Sequence, residues 1–347
     1  MPVGRIIVKR YGRPNRPTIL HFTEPALSNS ATPAAATAPP LATLQQNLVL
    51  KAGVLAAIKR LPAPLDLRLH GLYRRLFQSG RDYYCRTAHG ATMICRTDDY
   101  VQARILQFGV WEPAVTEIFR ACVRPGSTFV DIGANVGYHT LLAAQLVGTA
   151  GQVIAIEPSP NTLRRLRRNI ASNPALPNIR VIEAAVGATN AQIALYITDE
   201  ANLGASTIEN RGGAKIEALV RLAPLHDLLT TAECLATETI KIDIEGAEAP
   251  VIRSLQDNLH RYPRLSTIVV EVNKGHPAAR TFAAGFPGFT ARMLPDEELT
   301  SYFRNTSPAA LPLADDGRPQ FDLVLTRESF PETSLRSVGG VTVSGSN

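Results

Sequence analysis

The chain has 347 residues, 45% of them hydrophobic and 19% charged, a balance that supports a buried core and excludes a fibrous or wholly disordered protein. No run of about 18 uncharged apolar residues occurs, which argues against a membrane-spanning helix, and the basic N-terminus lacks the apolar core and cleavage site of a secretory signal, so a cytoplasmic location is expected. The net charge of +6 is concentrated in residues 1–40, where Arg5, Lys9, Arg10, Arg13 and Arg16 oppose Glu24 alone, and this weakens the case for a nucleic-acid surface elsewhere.

Residues 25–40 are rich in Ala, Pro, Ser and Thr without apolar periodicity, which is linker composition, and residues 1–40 are expected to be a basic, disordered tail. Residues 41–77 place apolar side chains at helical spacing, broken by Pro62 and Pro64, and predict two helices. Two strand-like runs about His89-Gly90 predict a hairpin within residues 83–96. Residues 111–126 predict an amphipathic helix entered at Pro113 and ended by Pro125-Gly126. Residues 41–127 therefore read as a helical and hairpin extension. The cysteines Cys85, Cys95, Cys122 and Cys234 contain no C-x-x-C pair and read as scattered, reduced thiols.

From residue 128 strands alternate with helices: TFVDIG, YHTLLAAQLVG, QVIAIEP, PNTLRRLRRNIASN and IRVIEAAVG. This rhythm predicts an α/β domain over residues 128–330, with a mostly parallel sheet covered by helices on both faces. Residues 191–230 read as one strand, a loop containing Gly204 and Gly212-Gly213, and a helix at LHDLLT. A strand at TIKIDIEG, a helix from Ala247, and strands at TIVVEVN and FDLVLTR complete the domain, leaving residues 331–347 as a loose tail.

The turn Asp131-Ile132-Gly133-Ala134-Asn135-Val136-Gly137 follows the first strand of this domain, where open parallel sheets receive nucleotides. Gly133 permits a sharp bend and Gly137 a close helix start. A dinucleotide fingerprint beginning at Gly133 needs glycine at 135 and 138, but Asn135 and Tyr138 stand there. Those glycines admit a pyrophosphate, so their loss favours a nucleotide lacking one. S-adenosylmethionine fits, and Glu157, at the end of the second strand, has the carboxylate that both ribose hydroxyls need.

Together with WEPAVTEIF, EAAVG, GAST and IKIDIEGAEAPVI, these motifs resemble, in order over residues 111–252, the FkbM family of S-adenosylmethionine-dependent methyltransferases. The resemblance implies a Rossmann-like class I methyltransferase fold with a seven-stranded sheet and a reversed last hairpin. It also implies O-methylation of a hydroxyl on a sugar, glycolipid or polyketide-like small molecule.

In IKIDIEG the two-residue period sets Lys241, Asp243 and Glu245 on one side. Charges in an apolar strand are costly to bury unless they are paired or lie at its mouth. Asp243 is therefore the expected acceptor-facing base or orienting group, with Lys241 as its partner and Glu245 beside it. His139 is a further candidate for proton removal, Glu112 for contact with the cofactor's amino group, and Glu271 for joining Asp243 on a sugar hydroxyl. No resident metal is expected, since carboxylates at strand ends serve hydroxyls equally well. The competing readings are a nicotinamide-dependent oxidoreductase, a non-catalytic adenosine-binding protein and a nucleic-acid methylating enzyme.

Overall fold

The computed structural model describes residues 80–197, 206–207, 215–244, 246–272, 279–295, 310–312 and 320–327. The expected tails at 1–40 and 331–347, the helices within 41–77, the Gly204 and Gly212-Gly213 loop and Glu245 lie outside the described residues.

The hairpin pairs β1 (Asp82–Arg86) with β2 (Thr92–Arg96), and it brings the Sγ atoms of Cys85 and Cys95 to 3.7 Å as free thiols. Spacing along the chain hid this proximity because strand pairing creates it. Helix α1 (Tyr100–Phe108) is capped by the Asp99 side chain, which accepts from the Gln102 N–H, and ends at a left-handed Gly109. Helix α2 (Pro113–Cys122) begins with Pro113 in its first turn, where the missing N–H costs no helical bond.

The main sheet contains β3 (Thr128–Ile132), β4 (Gln152–Ile156), β5 (Ile179–Ile182), β10 (Thr237–Ile242), β11 (Thr267–Val272), β12 (Thr290–Pro295), β13 (Leu311–Pro312) and β14 (Phe321–Thr326). Its order is β13-β12-β14-β11-β10-β3-β4-β5. Between the strands lie α3 (Tyr138–Val147) and α4 (Pro160–Ala171), then the short α5 (Leu225–Leu228) and α6 (Thr231–Ala236), and finally α7 (Glu248–Asp257) and α8 (Ala279–Ala284). Strands β5, β4, β3, β10 and β11 run parallel. Strand β14 inserts antiparallel between β11 and β12, so one long strand is reversed rather than a whole hairpin. The seven long strands give a Rossmann-like topology, with β13 adding a two-residue edge.

Alternation explains why the sheet is buried on both sides. Ile132, Ile156, Ile242 and Val270 join the core beneath α7, while Phe129, Val153, Val269 and Val324 join that of α2 and α3. The strand order reverses at β3, with β4 on one side and β10 on the other, and this opens a crevice at the carboxyl ends.

A second sheet was not legible in the sequence. It comprises β6 (Ala185–Val186), β7 (Ala191–Ile197), β8 (Ser206–Thr207) and β9 (Lys215–Ala223), ordered β6-β9-β7-β8. The apolar positions of β9, KIEALVRLA, suit a helical period as well as a strand. Its long antiparallel pairing with β7 decides the outcome.

Candidate active site

A cleft of about 830 Å³, open solvent included, lies at the crevice. Its walls include Val101 and Trp111 from the extension, Gly133 and Asn135 from the turn, Ala184 just before β6, Ala185 and Val186 of β6 and Leu195 of β7, and the acidic residues Glu112, Glu157, Asp243 and Glu271. Among the described residues lining it there is no lysine or arginine. The cleft is therefore acidic.

The turn after β3 is shaped by close packing. Gly133 has φ 78°, and a Cβ there would lie 1.8 Å from the Asp243 carbonyl oxygen, so only glycine lets the end of β10 pass beneath the turn. Asn135 also adopts positive φ (50°), as does Glu112 (44°). These are the two described non-glycine residues in that region, and both line the cleft. Such strain persists only where surrounding contacts enforce it.

Glu157 is held by two backbone N–H groups. Its Oε2 accepts from the Asn135 N–H at 3.0 Å and its Oε1 from the Ser159 N–H at 2.9 Å. Burial nevertheless pushes its carboxyl up to about 7, against the pull of those two N–H groups. Each oxygen keeps a further lone pair for a ligand hydroxyl.

At the other end Lys241 Nζ lies 2.9 Å from Asp243 Oδ2 and 3.8 Å from Asp131 Oδ1. Burial opposes the ammonium charge, but Asp243, Asp131 and Glu112 outweigh it and hold Lys241 protonated. Burial raises the Asp131 carboxyl while Lys241 and the Thr140 hydroxyl, which donates at 2.6 Å, pull it down. Glu271 stands one residue beyond the paired Ile242 and Val270, level with Asp243 on the neighbouring strand. The Gln320 amide donates to its Oε1 at 2.5 Å.

The expected site residues therefore separate into two groups. Glu112, Gly133, Asn135, Glu157 and Asp243 meet around the cleft, with Glu271. Asp131, Gly137, Lys241 and His139 do not line it. The His139 ring is 4% exposed and packs against Phe119 and Tyr138. Burial, then the charge of Lys241, keeps it neutral, and its Nδ1 is 3.8 Å from Glu112 Oε2. It sits buried behind the cleft wall. Pattern reading missed Val101, Leu195 and Gln320, which carry no motif and reach the site only through tertiary pairing. Trp111 lines the cleft from the WEP stretch, next to Glu112. Among the described residues no group of three or more His, Cys, Asp or Glu side chains is placed to hold a metal ion.

The arrangement suits a ligand that carries hydroxyl donors at the Glu157 end and positive charge between the acids. A diphosphate would meet four carboxylates there.

Residues 131–298 match the methyltransferase FkbM domain. The chain is 23% identical over 145 residues to the hexuronic acid methyltransferase AglP of Haloferax volcanii, covering 42% of this chain and 55% of that protein. It is 27% identical over 164 residues to methyltransferase 1 of Beauveria bassiana, covering 42% and 64%. The chain thus spans less than two thirds of the length of either relative. Among solved structures, the methyltransferase FkbM of Methylobacillus flagellatus aligns with TM-score 0.36 at 13% identity, covering 80% of this chain and 60% of that one.

Proposed function

From the premise that this chain, through residues 131–298, belongs to the FkbM methyltransferase family, we propose that it is an S-adenosylmethionine-dependent O-methyltransferase. Its acceptor is a hydroxyl on a sugar, glycolipid or polyketide-like small molecule. The observation that carries the reading is the acidic cleft at the strand-order reversal, with a doubly anchored Glu157 at one end and a lysine-paired Asp243 at the other.

S-adenosylmethionine supplies a methyl group on a cationic sulfur. Glu157 accepts hydrogen bonds from the ribose hydroxyls, and the Gly133–Gly137 turn leaves room for the nucleoside. Glu112, held in its strained conformation at the start of α2, receives the amino group. Asp243 accepts the hydrogen bond of the acceptor hydroxyl, aligns its oxygen and takes its proton as the new bond forms. Lys241, 2.9 Å from its Oδ2, orients the Asp243 carboxylate toward the acceptor. Glu271, braced by Gln320, grips a second hydroxyl of the acceptor. The relative named for hexuronic acid supports a sugar as the acceptor class.

The acidic lining weighs against a nicotinamide dinucleotide, because no described cation faces its pyrophosphate. Incubation with methyl-labelled S-adenosylmethionine and a panel of sugars, glycolipids and polyketide alcohols tests the reaction. Label is expected in a methyl ether, and Asp243→Asn should reduce its formation by roughly a hundredfold, within the usual worth of general base catalysis, while S-adenosylhomocysteine binding stays within about threefold. Label recovered on nitrogen or carbon would contradict the O-methyl assignment.

A further inference from the structure

Ser159 joins two carboxylates. Its backbone N–H donates to Glu157 Oε1, and its hydroxyl donates to Glu217 Oε1 at 2.7 Å while accepting from the Thr162 N–H at 3.1 Å. The same Glu217 oxygen accepts from the Asn161 N–H at 3.2 Å. Two of the otherwise unpaired amides at the start of α4 are satisfied in this way, one by Ser159 and one by a residue from another sheet. Glu217 belongs to β9, whose partners β6 and β7 contribute Ala185, Val186 and Leu195 to the cleft.

We propose that Glu217 is a positioning residue for the nucleotide: by holding Ser159 and Asn161 it fixes the N–H that orients Glu157 toward a ribose, and it makes the small sheet part of the cofactor site. The inference rests on the nucleotide reading of the cleft. Ser159 is 1% exposed and Glu157 7%, so the Ser159–Glu157 end of this chain is packed and has little slack, while Glu217 reaches it from a half-buried position on β9. When Glu217 is lost, the Ser159 hydroxyl loses its acceptor, the first turn of α4 loosens, and Oε1 of Glu157 loses a fixed donor. Charge acts along the same path. Glu157 is buried, takes hydrogen bonds from the Ser159 and Asn135 amides, and faces the like charges of Glu217 on β9 and Asp131 on β3, both of which favour its protonated form.

A plain helix cap would act on α4 without regard to ribose, so the test compares two ligands. Calorimetric titration measures S-adenosylhomocysteine and its 2′,3′-dideoxy analogue against wild type, Glu217→Ala and Glu217→Gln. Glu217→Ala should weaken S-adenosylhomocysteine roughly tenfold, the scale of one charge-assisted hydrogen bond, and leave the analogue nearly unchanged. Glu217→Gln, whose amide oxygen still accepts from Ser159 and Asn161, should restore the affinity. Equal loss for both ligands, or no loss for either, overturns the proposal. If wild type binds neither ligand, the nucleotide reading itself fails. The coupling is then decided without ligand by amide hydrogen exchange: faster exchange of the Ser159 and Asn161 N–H groups in Glu217→Ala than in wild type or Glu217→Gln supports it, and unchanged exchange overturns it.

Discussion

On the proposed reading of the cleft, Glu157 makes nucleotide binding sensitive to pH. Its carboxyl is raised by burial to about 7, above the ordinary 4.5, so the unfolded chain releases this proton first. Holding Glu157 ionised costs the ligand-free fold about 3 kcal/mol above pH 7, a cost that disappears as the pH falls toward 4.5. Ribose hydroxyls bond more strongly to the ionised form, so binding should release a proton near neutrality and tighten as the pH rises through about 7. Titrations in two buffers of different ionisation enthalpy would detect that release; affinity independent of pH between 6 and 8 would contradict it. Glu157→Ala should weaken S-adenosylhomocysteine by roughly ten- to a hundredfold. Gly133 tests the architecture instead. A Cβ there would lie 1.8 Å from the Asp243 carbonyl oxygen at φ 78°, so Gly133→Ala should destabilise the fold by about 3 kcal/mol or more, read as a lower urea midpoint. An unchanged midpoint would show that the β10 end can move aside.

At the scale of elements, the β1–β2 hairpin is tied to the sheet domain by buried polar contacts. Asn169 of α4 and Asn173, just beyond its end, reach the backbone of Ile94 and Thr92, and His89 meets Gln145 of α3 at 3.2 Å. Burial lowers the His89 imidazole to about 4, and its Nε2 has no hydrogen-bond partner. The folded value lies below the ordinary 6.5, so the unfolded chain takes up the proton first. Stability from this group is complete above about pH 6.5 and falls as the pH drops toward 4, by about 3 kcal/mol in all. His89→Gln should flatten that part of the pH–stability curve; an unaltered slope would place the acid sensitivity elsewhere. The hairpin was legible from two strand runs about a His-Gly turn. Its docking was not, because Asn169 and Asn173 look like ordinary polar helix positions until tertiary pairing gives them partners.

Across the whole molecule, what was legible followed from local pattern. The strand–turn–helix rhythm from Thr128 gave the parallel sheet, and the positive φ of Gly133 and Gly137 matches the bend and close helix start expected of that turn. Strand ends in Glu157 and Asp243 marked the two poles of the cleft. What escaped were the features set by non-local pairing: the small sheet around β9, the Gln320 contact to Glu271, and the burial of His139 behind the site. A two-residue period says which side of a strand a residue takes, and in this sheet Asp131 and Lys241 share a side yet stay out of the cleft. Their distance from the strand's mouth, not their side, excludes them. The central claim is that the cleft holds an adenosine ligand with positive charge and no pyrophosphate. The measurement that tests it most directly is calorimetric titration of the full chain with S-adenosylhomocysteine beside NAD. Micromolar binding of the first alone is the predicted result, whereas binding of NAD, or of neither, would contradict the claim.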